Sequence, residues 1–256
     1  VYGSPQMSAA RRPEVLRGKT FNLSIDETMV NFTGSTRRAT AINGSIPAPT
    51  LRWKEGQEVT INVTNHLNRQ TSLHWHGMIL PFQMDGVPGI SFPGIAPGET
   101  FQYRFKVQQS GTYWYHSHYI SDKQVARGMM GALIIEDDVP PDVDHDITVL
   151  ISDWLMQKDG TLTDEFTDMH SLAHDGYMGN YARAFLSQQQ VKQGDRVRFR
   201  LINAATNRVF STVVSGVSGL VVALDGMALA KPHALTELVL APAQRADLIV
   251  DIISPV

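Results

Sequence analysis

The run Glu55-Gly56-Gln57-Glu58-Val59-Thr60-Ile61-Asn62-Val63-Thr64-Asn65 puts Val59, Ile61 and Val63 on one side and polar residues on the other. Alternation with period two is the pattern of a strand with one face in a core. It recurs at Phe101, Tyr103, Phe105 and Val107, and at Val197, Phe199 and Leu201. Turn-forming clusters punctuate these runs, as in Pro47-Ala48-Pro49 and Asp85-Gly86-Val87-Pro88-Gly89. The combination predicts an all-β chain built as an antiparallel β-sandwich.

The opening run has a second copy. Gln193-Gly194-Asp195-Arg196-Val197 leads a strand ending at Asn203, which lies 138 residues after Asn65. Ile95-Ala96-Pro97-Gly98 matches Leu240-Ala241-Pro242-Ala243, 145 residues later, and each opens an alternating strand. Two tandem domains follow: a tail over 1–18, a first domain over 19–138, an acidic, Pro-containing linker over 139–146, and a second domain over 147–256. The first copy continues past Phe105 with two further strands, Gly111 to His116 and Gly131 to Ile135. The second copy reaches its corresponding strand at Asp247 to Ile252 and has no residues for the closing pair. A sandwich without them leaves unpaired backbone and an open core, so the chain is expected to be part of a longer polypeptide. Its first residue, Val1 rather than Met, fits a removed leader. One helix is predicted around Thr163 to Ala173, stopped by Asp175-Gly176.

Composition narrows the function. The 256 residues carry a net charge of −3 with no dominant basic run, which argues against a nucleic-acid partner. Arg11-Arg12 and Arg37-Arg38 read as solvated surface. No apolar run approaches the roughly 18 residues of a membrane span. The chain has no cysteine, which removes disulfides, thiol nucleophiles and thiolate metal ligands together.

The candidate chemistry lies in two His-x-His pairs, His74/His76 and His116/His118. On a strand, residues i and i+2 share a face, so each pair projects together. Imidazole suits copper, zinc, iron and nickel; with no thiolate, an all-nitrogen site favours copper or zinc. The structural alternative is histidines that hydrogen-bond in a core or at a surface. The flanking aromatics (Trp75; Tyr113, Trp114 and Tyr115) fit either a core or the dry, shaped wall of a metal site.

Leu73-His74-Trp75-His76-Gly77 and Tyr113-Trp114-Tyr115-His116-Ser117-His118 resemble the first two copper motifs of the multicopper oxidases. Ala41-Ile42-Asn43-Gly44-Ser45-Ile46-Pro47-Ala48-Pro49 resembles the segment preceding those motifs in copper-resistance and laccase-like members. Met84-Asp85-Gly86-Val87-Pro88-Gly89 and Pro242-Ala243-Gln244-Arg245-Ala246-Asp247 add to the likeness. The resemblance implies tandem cupredoxin-like Greek-key sandwiches, the second incomplete. It implies that His74 binds a type 2 copper and that His76, His116 and His118 bind a type 3 pair, in a cluster that reduces dioxygen to water. It also implies that Asp85, nine residues after His76, is a catalytic acid helping to move protons. Asp-Gly is equally a common turn pair.

The departure from the family is the missing type 1 copper, which needs one Cys and two His, and the missing second set of cluster histidines. At the 138-residue offset His74 and His76 map to Thr212 and Val214, so the second domain reads as a copper-free spacer. A C-terminal cupredoxin domain would carry the rest. Of the other histidines, His170 and His174 share a face of the predicted helix and read as solvated, while His66, His145 and His233 read as surface. The Asn-x-Ser/Thr triplets at Asn22, Asn31, Asn43 and Asn62 are weak support for glycosylation.

Two functions remain open. One is a periplasmic or secreted laccase-like oxidase that takes single electrons from a small reducing substrate (a phenol, cuprous ion or manganous ion) and passes them to dioxygen. The other is a non-catalytic copper-binding, tolerance or cell-envelope module.

Overall fold

The computed structural model describes residues 13–31, 36–118, 128–154, 181–188 and 190–254. The helix expected around Thr163 to Ala173, with His170 and His174, lies outside them.

The N-terminal half folds as two sheets packed face to face. The four-stranded sheet runs, edge to edge, β3 (Thr36–Ile42), β2 (Thr20–Asn31), β5 (Glu58–Asn65) and β7 (Thr100–Lys106). The five-stranded sheet runs β1 (Val15–Arg17), β4 (Thr50–Lys54), β9 (Met130–Glu136), β8 (Gly111–His116) and β6 (His74–His76). Val59, Ile61 and Val63 of β5 are fully buried between the sheets with Trp53, Trp75, Tyr103 and Tyr115. The alternation therefore reported the inner face correctly. It did not report pairing direction: β2–β5, β1–β4 and β4–β9 are parallel, so the sheets are mixed rather than antiparallel. Side-chain period depends on the pleat alone, whereas direction depends on connections. The chain crosses to the other sheet at β4 between β2 and β5, and returns parallel. The stretch expected as a tail also contributes β1.

The second half repeats this plan. Its main sheet runs β11 (Tyr181–Leu186), β10 (His145–Trp154), β12 (Arg196–Asn203), β17 (Arg245–Ile252), β14 (Val217–Leu224) and β15 (Met227–Ala234). β10–β12 is parallel and β12–β17 antiparallel, as β2–β5 and β5–β7 are. Its second sheet is a pair, β13 (Phe210–Thr212) with β16 (Leu238–Leu240), among the described residues. The repeat extends to single hydrogen bonds. Asn65, fully buried, donates to the carbonyls of Arg69 and Ile95 and accepts from Leu67 N–H. Asn203, fully buried, donates to those of Arg208 and Leu240 and accepts from Ala205 N–H. Each asparagine pins the strand end to the loop that follows it, meeting the polar demand of buried backbone.

The two halves meet across the outer face of the five-stranded sheet. Trp114, Met130 and Ala132 from that face join Leu150, Phe185, Ile202 and Ala204 in one apolar cluster. Around it lies an ionic network. Arg200 forks onto Asp146 at 2.8 and 3.0 Å and donates to Thr112 Oγ1, while Arg52 reaches Asp146 from β4. Arg198 bridges Asp247 and Asp137. Arg198 and Arg200 on the polar face of β12 are thus buried, not solvated: alternation separates two faces without saying what covers the second. The acidic stretch expected as a linker is tied down by these arginines, and β10 begins inside it at His145.

Candidate metal centre

β6 is the edge of its sheet, and the period of two turns His74 and His76 to the outer face while Trp75 enters the core against Trp53, Tyr103 and Tyr115. The antiparallel pairing with β8 sets His74 opposite His116, Trp75 opposite Tyr115 and His76 opposite Trp114. Ligand-capable nitrogens of His74, His76 and His116 all fall within 4.8 Å of one another. His118 follows the end of β8, its backbone N–H held by Ser72 Oγ at 3.3 Å. Its ring centroid is 5.2 Å from that of His74 and 6.2 Å from that of His116, so it borders the trio without joining its closest group.

The partners of each ring decide which nitrogen faces the centre. Nδ1 of His74 donates to the Asp85 carbonyl at 2.6 Å, leaving Nε2 available. Nδ1 of His116 donates to the Ser117 carbonyl at 2.8 Å, again leaving Nε2. His76 is turned the other way: its Nδ1 faces His116 Nε2 at 3.3 Å. Trp114 stacks on His116 with centroids 4.3 Å apart and touches His76 at 5.2 Å, walling the trio off from the apolar junction. Burial pushes the His74 and His116 pKa values down, most strongly at His116, which is 7% exposed. Burial, reinforced by the charge of Arg245, holds His76 at about 4. All three rings are therefore neutral near pH 7, the state in which imidazole binds metal. An all-imidazole set with one nitrogen of each ring aimed inward fits copper.

Asp85 enters first through its backbone. The Asp85-Gly86 turn packs so closely on β6 that a Cβ at Gly86 would stand 1.8 Å from the Leu73 carbonyl oxygen, and Gly86 has φ +75°. Only glycine allows that approach. The Asp85 carboxylate is half-exposed, 3.3 Å from His74 Nδ1.

Sequence reading missed several neighbours. The Ser117 carbonyl leaves no trace in a pattern, because every residue has one. In the sequence Trp114 reads only as an aromatic flank, and Arg245 only as part of a motif. His66 and His233 are exposed, as expected. His145 is not plain surface: it is half-buried between Asp195 at 2.9 Å and Gln188 at 3.1 Å.

Comparison with known proteins identifies the family. Two multicopper oxidase family models match residues 24–140 and 145–255. Copper resistance protein A of Escherichia coli is 36% identical over 284 residues, covering 92% of this chain and 46% of that protein. The chain spans about half the length of the curated copper-resistance relatives it matches. Among solved structures, Lac15 from a marine microbial metagenome superposes with a TM-score of 0.80 at 39% identity, over 94% of this chain and 60% of that one. The blue copper oxidase of Nitrosomonas europaea superposes with a TM-score of 0.77 at 32% identity, over 94% of this chain and 77% of that one. With both halves matched and the histidine motifs converging at one sheet edge, the chain belongs to the multicopper oxidase family.

Proposed function

We propose that this chain supplies the N-terminal half of a copper cluster that reduces dioxygen to water with single electrons drawn from a small donor, a phenol or a metal ion. The observation that carries the reading is that one ring nitrogen from each of His74, His76 and His116 lies within 4.8 Å of the others, with Nδ1 of His74 and of His116 turned to backbone carbonyls. His74 would hold a type 2 copper, and His76, His116 and His118 a type 3 pair. When bound, copper supplies the one-electron chemistry and the affinity for dioxygen.

The residues of the chain do the rest. The Asp85 and Ser117 carbonyls fix the tautomers of His74 and His116, so their free nitrogens face inward without reorganisation. With His116 Nδ1–H on the Ser117 carbonyl, His76 Nδ1–H donates to His116 Nε2; a metal held by these two nitrogens would require His76 to carry its proton on Nε2. The Asp85 carboxylate, at the solvent boundary and 3.3 Å from His74 Nδ1 on the side of the ring away from the centre, would be the acid that helps move protons, acting through its contact with His74. Trp114 and the apolar junction exclude water from the inner side.

The absence of cysteine means that these residues cannot hold a type 1 copper. The electron-entry site and the remaining cluster histidines would come from a further cupredoxin domain, and the whole would work in the periplasm or outside the cell. The same absence favours a second reading, copper sequestration without turnover. Oxygen uptake and copper content, measured together on the polypeptide that joins this chain to that further domain and on its His116→Ala/His118→Ala variant, separate the two. Uptake that disappears in the variant supports the oxidase. Copper bound through these histidines with no uptake in either form supports sequestration, and uptake unchanged in the variant overturns both.

A further inference from the structure

The segment Pro242 to Asp247 resembles a family motif, yet none of its residues belongs to the histidine trio. The junction gives it a task. Arg245, at the start of β17 in the second sandwich, is 5% exposed. Its Nε donates to the Thr112 carbonyl of β8 at 3.1 Å and its Nη1 to the Ala243 carbonyl at 3.0 Å. The guanidinium lies over the Tyr113 ring, 5.6 Å from its centroid. It also lies against Gly77, the residue after His76: a Cβ built there would stand 2.5 Å from Nη2 and 3.3 Å from Cζ, and Gly77 has φ +86°.

One side chain therefore reaches both histidine-bearing strands, at Gly77 just past β6 and at Thr112 and Tyr113 near the start of β8. The hairpin turn at Asp225-Gly226 reinforces the grip. Asp225 Oδ1 accepts from Arg245 N–H at 3.0 Å, and Gly226 packs on Tyr113 and Gly111 closely enough to exclude a Cβ at any of these glycines. The charge partner is weak. Asp225 approaches Nη1 only at 3.6 Å and its side chain is half-exposed, so most of the guanidinium is held by carbonyls and a ring. A buried cation without a close carboxylate is costly compared with an apolar side chain of similar size. Stability alone does not account for an arginine here; its reach and planar fork do, since no other side chain spans carbonyl, ring and turn at once.

We infer that Arg245 is a positioning residue for copper: by bracing the Gly77 turn and the Thr112–Tyr113 segment together, it sets the separation at which His76 Nδ1 and His116 Nε2 share a metal. The inference rests on the copper reading above. It makes the copper site depend on a residue of the half opposite the histidine trio.

The test measures Cu(II) affinity by competition with a chromophoric chelator, the electron paramagnetic resonance spectrum of bound Cu(II), and the thermal midpoint. It uses the wild-type chain, R245M, R245K, H76A and the junction control R52M. Arg52, on β4, bonds Asp146 and Glu136, neither of which belongs to β6 or β8. Loss of an outer partner of a metal ligand typically costs about 10- to 100-fold in affinity. R245M is expected to bind copper at least about tenfold more weakly with an altered spectrum, and R245K, which keeps charge but not the fork, to recover only part of that. R52M is expected to lower the thermal midpoint while binding copper with the wild-type spectrum and affinity. Should R245M not fold, R245K carries the comparison. Wild-type affinity and spectrum in the Arg245 variants, or equal losses in R52M, overturn the inference while leaving the copper site standing. A wild-type chain that binds no more copper than H76A removes the copper reading and this inference together.

Discussion

Gly86→Ala is a one-carbon change whose effect follows from the geometry beneath it. The new Cβ would stand 1.8 Å from the Leu73 carbonyl oxygen and 2.7 Å from its carbon, both backbone atoms of the residue before His74. Neither can rotate away, so the Asp85-Gly86 turn must lift off β6. A side chain at φ +75° adds about 1–2 kcal/mol of its own, and relief of the overlap adds about 1–3 kcal/mol. Lifting the turn also breaks the 2.6 Å hydrogen bond from His74 Nδ1 to the Asp85 carbonyl and frees the ring to change tautomer. The corresponding fall in copper affinity is about 10- to 100-fold. Gly89→Ala supplies the matched control: Gly89 has φ +77°, but nothing lies within 4 Å of its built Cβ. It should lose about 1–2 kcal/mol of stability from the backbone alone and keep its copper affinity. Urea unfolding and chelator competition on the two variants read both quantities. Wild-type copper affinity in Gly86→Ala, or equal affinity losses in the two variants, would refute the claim that the turn orients His74.

Three further outcomes are expected. Arg200→Met strips Asp146 and Thr112 of a 1% exposed partner and should cost about 3–5 kcal/mol by urea unfolding; a loss below 1 kcal/mol would mean that the junction carries little of the stability. Burial pushes the Asp146 carboxyl up, but the hydrogen bonds and charge of Arg200 outweigh it and hold its pKa below the ordinary 3.8. A depressed folded-state pKa stabilises above the unfolded value and stops doing so as pH falls through the folded one. Asp146→Asn should therefore trail the wild type by a constant margin from pH 7 to 5 and close on it below pH 3.8; a gap that widens in acid would reverse the sign assigned. Asn203→Ala and Asn65→Ala each remove three hydrogen bonds and should cost about 2–4 kcal/mol each; a large loss at one and none at the other would contradict their equivalence.

Much of this molecule was legible in its sequence, and where it was not the cause is physical. Val59, Ile61 and Val63 announced a buried face because the pleat forces every second side chain the same way. Asn65 and Asn203 announced the repeat because both strand ends need the same buried amide. His74, His76 and His116 announced a shared face because β6 and β8 are ordinary strands in register. The parallel pairing of β2 with β5 stayed hidden, because direction is fixed by a crossover to another sheet. Arg198 and Arg200 stayed hidden because the residues covering them, Asp137, Asp146 and Asp247, belong to other segments. The first contact of Asp85 with His74 is a carbonyl, a group no sequence pattern can single out. Arg245 acts 133 residues away from the Thr112 carbonyl it binds, and a motif marks its presence without its target.

X-ray absorption at the copper edge of the copper-loaded chain tests the central claim most directly. His74, His76 and His116 as ligands require a first shell of nitrogen and oxygen with the outer-shell scattering of imidazole rings, lost when His76 and His116 are both replaced by Ala. A sulfur scatterer in the first shell, which only methionine could supply here, or a spectrum unchanged in that double variant, would contradict it.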